Sequence, residues 1–188
     1  MNLNTNKQSA LDALKQEALQ CQKCHLRKEC KGVVFGEGNP YSPIMFVGEG
    51  PGQTEDELGR PFVGKAGQLL NTIFQAARIN RQDIYITNIV KCRPLNNRTP
   101  NAEEMNFCLP WLRQQYSIIR PSYMVLLGLA ATHGILEPGV KMGSVRGRWI
   151  DKGNLKIMAT YHPAAILRNP ALKKPAWEDF QLIKETIS

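Results

Sequence analysis

His162 sits between Tyr161 and Pro163, directly after the apolar run Leu155–Thr160. An imidazole donor at the end of a strand is able to stabilise negative charge developing on a leaving group; a structural histidine is the plain alternative. Asn88 interrupts the run Ile84-Tyr85-Ile86-Thr87-Asn88-Ile89-Val90. A carboxamide near the end of a buried strand costs stability unless it is paired. It offers a ligand both donor and acceptor, and a turn cap is the alternative. Gly48-Glu49-Gly50-Pro51-Gly52 is a tight strand exit in which Glu49 is the titratable side chain. The backbone amides around Gly48 and Gly50 are placed there to face an anion or a carbonyl. Cysteine occurs five times, as Cys21-x2-Cys24, Cys30, Cys92 and Cys108. The close pair has metal-clamp spacing, and four thiolates suit an iron–sulfur cluster or tetrahedral zinc. Spacing does not separate the two metals, and His25 and Cys30 leave the ligand set open.

The elements that position these groups follow from hydrophobic patterning. Four strand-length apolar runs cover residues 44–47, 84–89, 123–127 and 155–160. Helical spacing appears at residues 9–19, 69–77, 102–119, 129–136 and 177–187. Strands alternating with helices predict a parallel sheet covered on both faces. In such sheets ligands bind beyond the carboxyl ends of the strands, where Glu49, Asn88, Gly128 and His162 all fall.

The 188 residues, 43% hydrophobic and 21% charged, describe one globular domain and exclude a disordered chain. No apolar run approaches the ~20 residues that span a bilayer, and the first residues lack a signal-peptide core. The expected setting is therefore cytoplasmic, with no membrane. Nucleotide cofactors lose support because Gln53 stands where a GxGxxG fingerprint needs glycine, and GxxxxGK(S/T) is absent. The net charge of +8 is unevenly spread. Residues 141–174 hold eight cations, Arg146 and Arg168 among them, against the one anion Asp151, and Lys91, Arg93 and Arg98 form a second basic window. Cations in Gly- and Pro-containing loops suit phosphate contacts.

The stretches VVFGEGNPYSPIMFVGEGPG, GRPFVGKAGQLL, ITNIVKCRPLNNRTP, LLGLAA and ATYHPAAILRNP together resemble the family-four uracil-DNA glycosylases, the iron–sulfur branch of that superfamily. The likeness runs from about Cys21 to the C-terminal helix. It implies an α/β/α sandwich, three layers around a central four-stranded parallel sheet, in a single domain over residues 1–188. Its N-terminal segment, to about residue 35, is then tied to the core by a metal cluster. The implied activity is monofunctional: uracil is flipped out of DNA and its N-glycosidic bond hydrolysed, leaving an abasic site for base excision repair. The implied partner is uracil-containing DNA, single or double stranded, met by a monomer.

The resemblance also implies roles residue by residue. Cys21, Cys24, Cys92 and Cys108 would hold a 4Fe–4S cluster, with Cys30 left as a free thiol. Phe62 would stack on uracil, and Asn88 would read its N3–H and O4. His162 and the amides of Gly48 and Gly50 would stabilise the charge left on uracil, and Glu49 would face the sugar. Family-one enzymes carry Asp one position later, where Gly50 stands here. Glu49 is therefore either a base for water or an electrostatic stabiliser. Residues 162–168 resemble the superfamily's minor-groove loop, with Leu167 as wedge and Arg168 on a phosphate or in the vacated gap. Ser144, Arg146 and Lys91 are further phosphate candidates. A non-catalytic nucleic-acid binder and an electron carrier are the competing classes. Neither needs Glu49, Phe62, Asn88 and His162 together.

Overall fold

Unbroken apolar runs make the centre of this protein, because strands buried on both faces have no solvent side to keep polar. The computed structural model describes residues 6–187. Its strands are β1 (Glu37–Gly38), β2 (Ile44–Gly48), β3 (Tyr85–Asn88), β4 (Tyr123–Leu127), β5 (Ile150–Lys152) and β6 (Leu155–Thr160). Its helices are α1 (Lys7–Leu19), α2 (Leu26–Glu29), α3 (Gln53–Leu58), α4 (Lys65–Ala76), α5 (Ala102–Ile119), α6 (Leu129–Ile135), α7 (Met142–Val145), α8 (Pro163–Arg168) and α9 (Lys173–Ile187). Among the described residues no helix is long and apolar enough to cross a membrane.

Successive residues of one strand enter two different cores. Met45 and Val47 join a core with residues of α1, α5 and α7, whereas Ile44 and Phe46 join one with residues of α4 and α9. The same alternation divides Met124 and Leu126 from Val125 and Leu127 on β4. Helices therefore cover both sheet faces. The period-two geometry of the strand is the cause.

Among the described residues the sheet has six strands, in the order β1-β3-β2-β4-β6-β5. The sheet is thus larger than the four central strands expected. The pairs β2–β3, β2–β4 and β4–β6 are parallel, and the short β1 and β5 add antiparallel edges on β3 and β6. These edges are two and three residues long, so pairing rather than composition defines them. β3 and β4 lie on opposite sides of β2, which puts a topological switch point between β2 and β4. Register then levels the strand ends: Gly48 pairs with Asn88, and Leu127 with Thr160.

Helix ends are set by local chemistry. Asn101 caps α5 in a reciprocal box with Glu104, and left-handed Arg120 stops it. α9 starts four residues earlier than apolar spacing suggested, since Pro175 falls in its first turn, where its missing N–H is harmless. Its far face is fastened by buried Asp179, which accepts from Arg146 and, at 2.6 Å, from the Thr160 hydroxyl at the end of β6. The strand that leads into His162 is thereby fixed.

Candidate active site

The levelled strand ends open into one cleft of about 970 Å3. Glu49 and Gly50 follow β2, Asn88 ends β3, Gly128 follows β4 and His162 follows β6, and all five line it with Phe62, Thr99 and Arg168. Two features of the cleft stand out in its geometry.

The first is Asn88, 1% exposed, whose Oδ1 has no hydrogen-bond partner among the described residues. A buried orphan acceptor costs roughly 1–3 kcal/mol, so its aim calls for a ligand donor. Gly48 permits this placement: a Cβ there would stand 2.4 Å from both Asn88 Oδ1 and Phe62 Cζ. Phe62 itself is buried with φ 52°, a strained conformation for an aromatic residue. Glu55 of α3 holds the turn, accepting from the Val63 and Gly64 amides at 2.9 and 2.7 Å. Gly67 completes it, because a Cβ there would lie 2.0 Å from the Phe62 carbonyl.

The second is His162, whose ring centroid is 5.8 Å from that of Phe62, with the planes at 34°. His162 caps α8, its Nδ1 accepting from the Ala164 amide at 3.1 Å. An accepting Nδ1 leaves the proton of the neutral ring on Nε2. Burial pushes the imidazole down to about 4, with Arg168 adding to the shift and Glu55 opposing it. His162 is therefore a neutral N–H donor at ordinary pH.

Glu49 is half-buried, and burial raises its carboxyl above the usual range. The Thr99 hydroxyl and the Arg168 cation oppose that rise. Arg168 is exposed at the end of α8, yet its charge acts on both Glu49 and His162. Leu167 beside it is 50% exposed.

Two of the expected phosphate contacts, Lys91 and Arg146, are engaged inside the protein. Lys91 is 1% exposed and fully hydrogen-bonded inside the protein, so it does not face a backbone. Arg146 is committed to Asp179 and the Pro175 carbonyl, and lies over the Tyr161 ring. Ser144 is exposed, but its hydroxyl donates to the Lys141 carbonyl at 2.7 Å. Sequence reasoning missed Glu55, Thr99 and Asp179. Glu55 left a trace, an acidic first helical turn ahead of a Gly-rich loop whose amides need an acceptor.

The cysteines pack together on one core and none of them lines this cleft. Cys21 and Cys24 lie between α1 and α2, Cys92 follows β3 and Cys108 is on α5, and all four, with Cys30, pack on one core. Among the described residues no three His, Cys, Asp or Glu side chains already form a metal-binding group. The thiols nonetheless sense one another: burial raises Cys24 and Cys108, and each feels the charge of neighbouring cysteines. A hydrogen bond with Cys30, then burial, raises Cys92. The Lys91 amide donates to Cys108 Sγ at 3.2 Å.

An ion-pair network fastens the cysteine segment to the cleft. Buried Glu104 accepts from Arg98 at 2.6 and 2.8 Å and from the Asn101 amide at 2.8 Å, with His25 Nε2 at 2.6 Å. Arg98, opposed by burial and aided by the Asn101 amide, holds Glu104 down to about 2. A carboxylate depressed on folding stabilises above its unfolded pKa and loses that contribution as pH falls towards the folded value. Glu104→Gln is therefore expected to lower the melting temperature at pH 7. The gap from the parent protein should close as pH falls from about 4.5 towards 2, measured by thermal melts across that range.

Comparison with known proteins adds independent weight. The sequence profile described as Uracil DNA glycosylase superfamily matches residues 35–181. A type-4 uracil-DNA glycosylase of Pyrobaculum aerophilum is 44% identical over 180 residues, covering 92% of each chain. One from Thermotoga maritima is 41% identical over 185 residues, covering 96% of each. A type-5 enzyme of Pyrobaculum aerophilum is more distant, at 30% over 146 residues, covering 69% of this chain and 64% of that one. Together with a cleft built at four levelled strand ends, these similarities establish that the chain belongs to the type-4 uracil-DNA glycosylases.

Proposed function

We propose that this protein excises uracil from DNA, with Asn88, Phe62, His162 and Glu49 as the groups that touch the substrate. The observation that carries this reading is the unpaired Asn88 Oδ1, buried beside Phe62 in the cleft that His162 lines. Chemistry on a base requires the nucleotide to leave the stack and enter a pocket. Phe62 gives the flipped base a stacking face. Asn88 Oδ1 accepts N3–H while its NH2 donates to O4. Cytosine has no proton on N3 and an amino group at C4, so both contacts fail.

Breaking the N–C1′ bond leaves negative charge on uracil, chiefly O2, and positive character on the sugar. His162 Nε2–H donates to that oxygen, and a neutral ring has no charge to lose as the bond breaks. The amides around Gly48 and Gly50 add backbone donors. Glu49 faces the sugar, as a base for water or as an electrostatic stabiliser. Burial raises its carboxyl, which suits proton uptake from water, and the Thr99 donor and the Arg168 cation oppose that rise, which suits the charged form. Water then completes the hydrolysis at C1′.

α8 joins two tasks in six residues. His162 caps its start, and Leu167 and Arg168 project from its end. An apolar side chain pressed into the vacated stack offsets part of the unstacking cost, and Arg168 covers the gap beside it. The exposed Lys141, Lys173 and Lys174 remain for phosphates.

Cys21, Cys24, Cys92 and Cys108 fit a 4Fe–4S cluster. They are four thiols from three parts of the chain on one core, with a backbone N–H already donated to Cys108 sulfur. When bound, the cluster supplies a cross-link between the N-terminal segment, the loop after β3 and α5.

The test is incubation with oligonucleotides carrying one uracil or one thymine at the same position, followed by alkali. Brown protein absorbing near ~400 nm serves as the cluster-loaded sample. Breaks at uracil alone are expected. No uracil-dependent breakage by that sample would overturn the assignment.

A further inference from the structure

Lys91 is a buried cation with no role in the chemistry above. Its side chain folds back from the loop after β3, and its ammonium donates to Thr87 Oγ1 at 2.6 Å, the Asn88 carbonyl at 2.7 Å and Gln115 Oε1 at 2.7 Å. These three bonds use all three ammonium protons, and all three acceptors are neutral. The acceptors are themselves fixed. Gln115 of α5 donates to the Phe35 carbonyl at 2.8 Å and the Tyr85 hydroxyl at 3.0 Å, and Thr87 donates to the Phe35 carbonyl at 2.8 Å. Thr87 and Gln115 are fully buried. Burying an ammonium is costly; the three acceptors hold it in one place, with Cys108 as a nearby counter-charge.

Asn88 supplies one of these acceptors. Its side-chain oxygen accepts nothing from the described residues, so no hydrogen bond from them to that oxygen holds its aim. The direction of the carboxamide is set by the backbone at the end of β3, where Lys91 caps the Asn88 carbonyl. On the other side, the Lys91 amide is anchored on Cys108 Sγ. We propose that Lys91 is a positioning residue for uracil recognition, fixing the Asn88 peptide so that its carboxamide meets the edge of the base. This rests on the assignment of Asn88 as the base reader.

Displacements on the order of 1 Å cost about 10²-fold in oriented sites. Lys91→Met is therefore expected to weaken inhibition by free uracil by ~10-fold or more and to lower kcat/KM by up to about 10²-fold. Affinity for a duplex with a non-cleavable abasic analogue should stay unchanged. A merely structural lysine would lower the melting temperature while leaving the uracil inhibition constant of the folded protein intact, and that result overturns the proposal. If Lys91→Met does not fold, Thr87→Val and Gln115→Met each remove one acceptor and are expected to weaken uracil inhibition to a smaller extent. Unchanged inhibition in both overturns it equally. Asn88→Ala measured alongside separates the two layers. If it keeps uracil inhibition, the base-reading assignment fails; if it alone loses inhibition, the role of Lys91 fails.

Discussion

Replacing His162 with alanine is expected to lower the single-turnover rate of uracil excision by ~10²–10³ while leaving affinity for DNA close to that of the parent. The magnitude is that of one preorganised donor at a developing oxyanion. The DNA contacts proposed for Leu167, Arg168 and the exposed lysines do not involve the imidazole, so binding should largely survive, less what loss of the α8 cap costs. The charge state sharpens the expectation. An imidazolium acid would lose activity as pH rises through about 6.5. Here Nδ1 is already engaged as an acceptor and the ring is held down to about 4. The rate should therefore show no His162 inflection between pH 5 and 8. On the acid side it should fall as Glu49, raised by burial, takes up a proton, and further as pH approaches 4, when protonation of Nδ1 breaks the cap of α8 and places a cation beside Arg168. A rate that drops through pH 6.5 on the alkaline side would identify the charged ring as the active form.

Asn88→Ala is the second large effect. It removes the acceptor for N3–H and the donor to O4 while leaving the Phe62 stacking face. Sites built for hydrogen bonds discriminate by about 10⁴ when those bonds are left unmade. Excision of uracil should fall by ~10³ or more, and preference over cytosine should shrink with it. Folding should not suffer, since the mutation removes an orphaned buried acceptor rather than a made bond. Rates on matched uracil and cytosine substrates, with a thermal melt of the variant, check both parts.

Much of the fold is legible in the sequence because its central strands are buried on both faces. Ile44, Met45, Phe46 and Val47 contain no polar break, and the same is true of Val125, Leu126 and Leu127. The edges are not legible. Glu37 and Gly38 have no strand-like composition and become β1 only by pairing with Ile86 and Tyr85. In the site, residues at strand ends are legible because topology places them. His162, Asn88 and Glu49 need only the positions of the strands.

The support around them is not legible, because it is made by contacts distant in sequence. Lys91 reads as a loop cation until Gln115, 24 residues on, supplies its acceptor. Arg146 reads as a phosphate ligand until α9 folds back and offers Asp179, 33 residues away. Glu55 sits in a short acidic helix that reads as solvated, and its purpose shows only in the amides of Val63 and Gly64. Its carboxylate is what holds Phe62 in its left-handed turn.

The central claim is that a carboxamide, an aromatic face and a neutral imidazole at the strand ends make a pocket for uracil. It is tested most directly by single-turnover release of free base from oligonucleotides identical but for uracil or cytosine at one position. The account predicts release of uracil with a margin over cytosine of about 10⁴ or more. Release of cytosine at a comparable rate would contradict it.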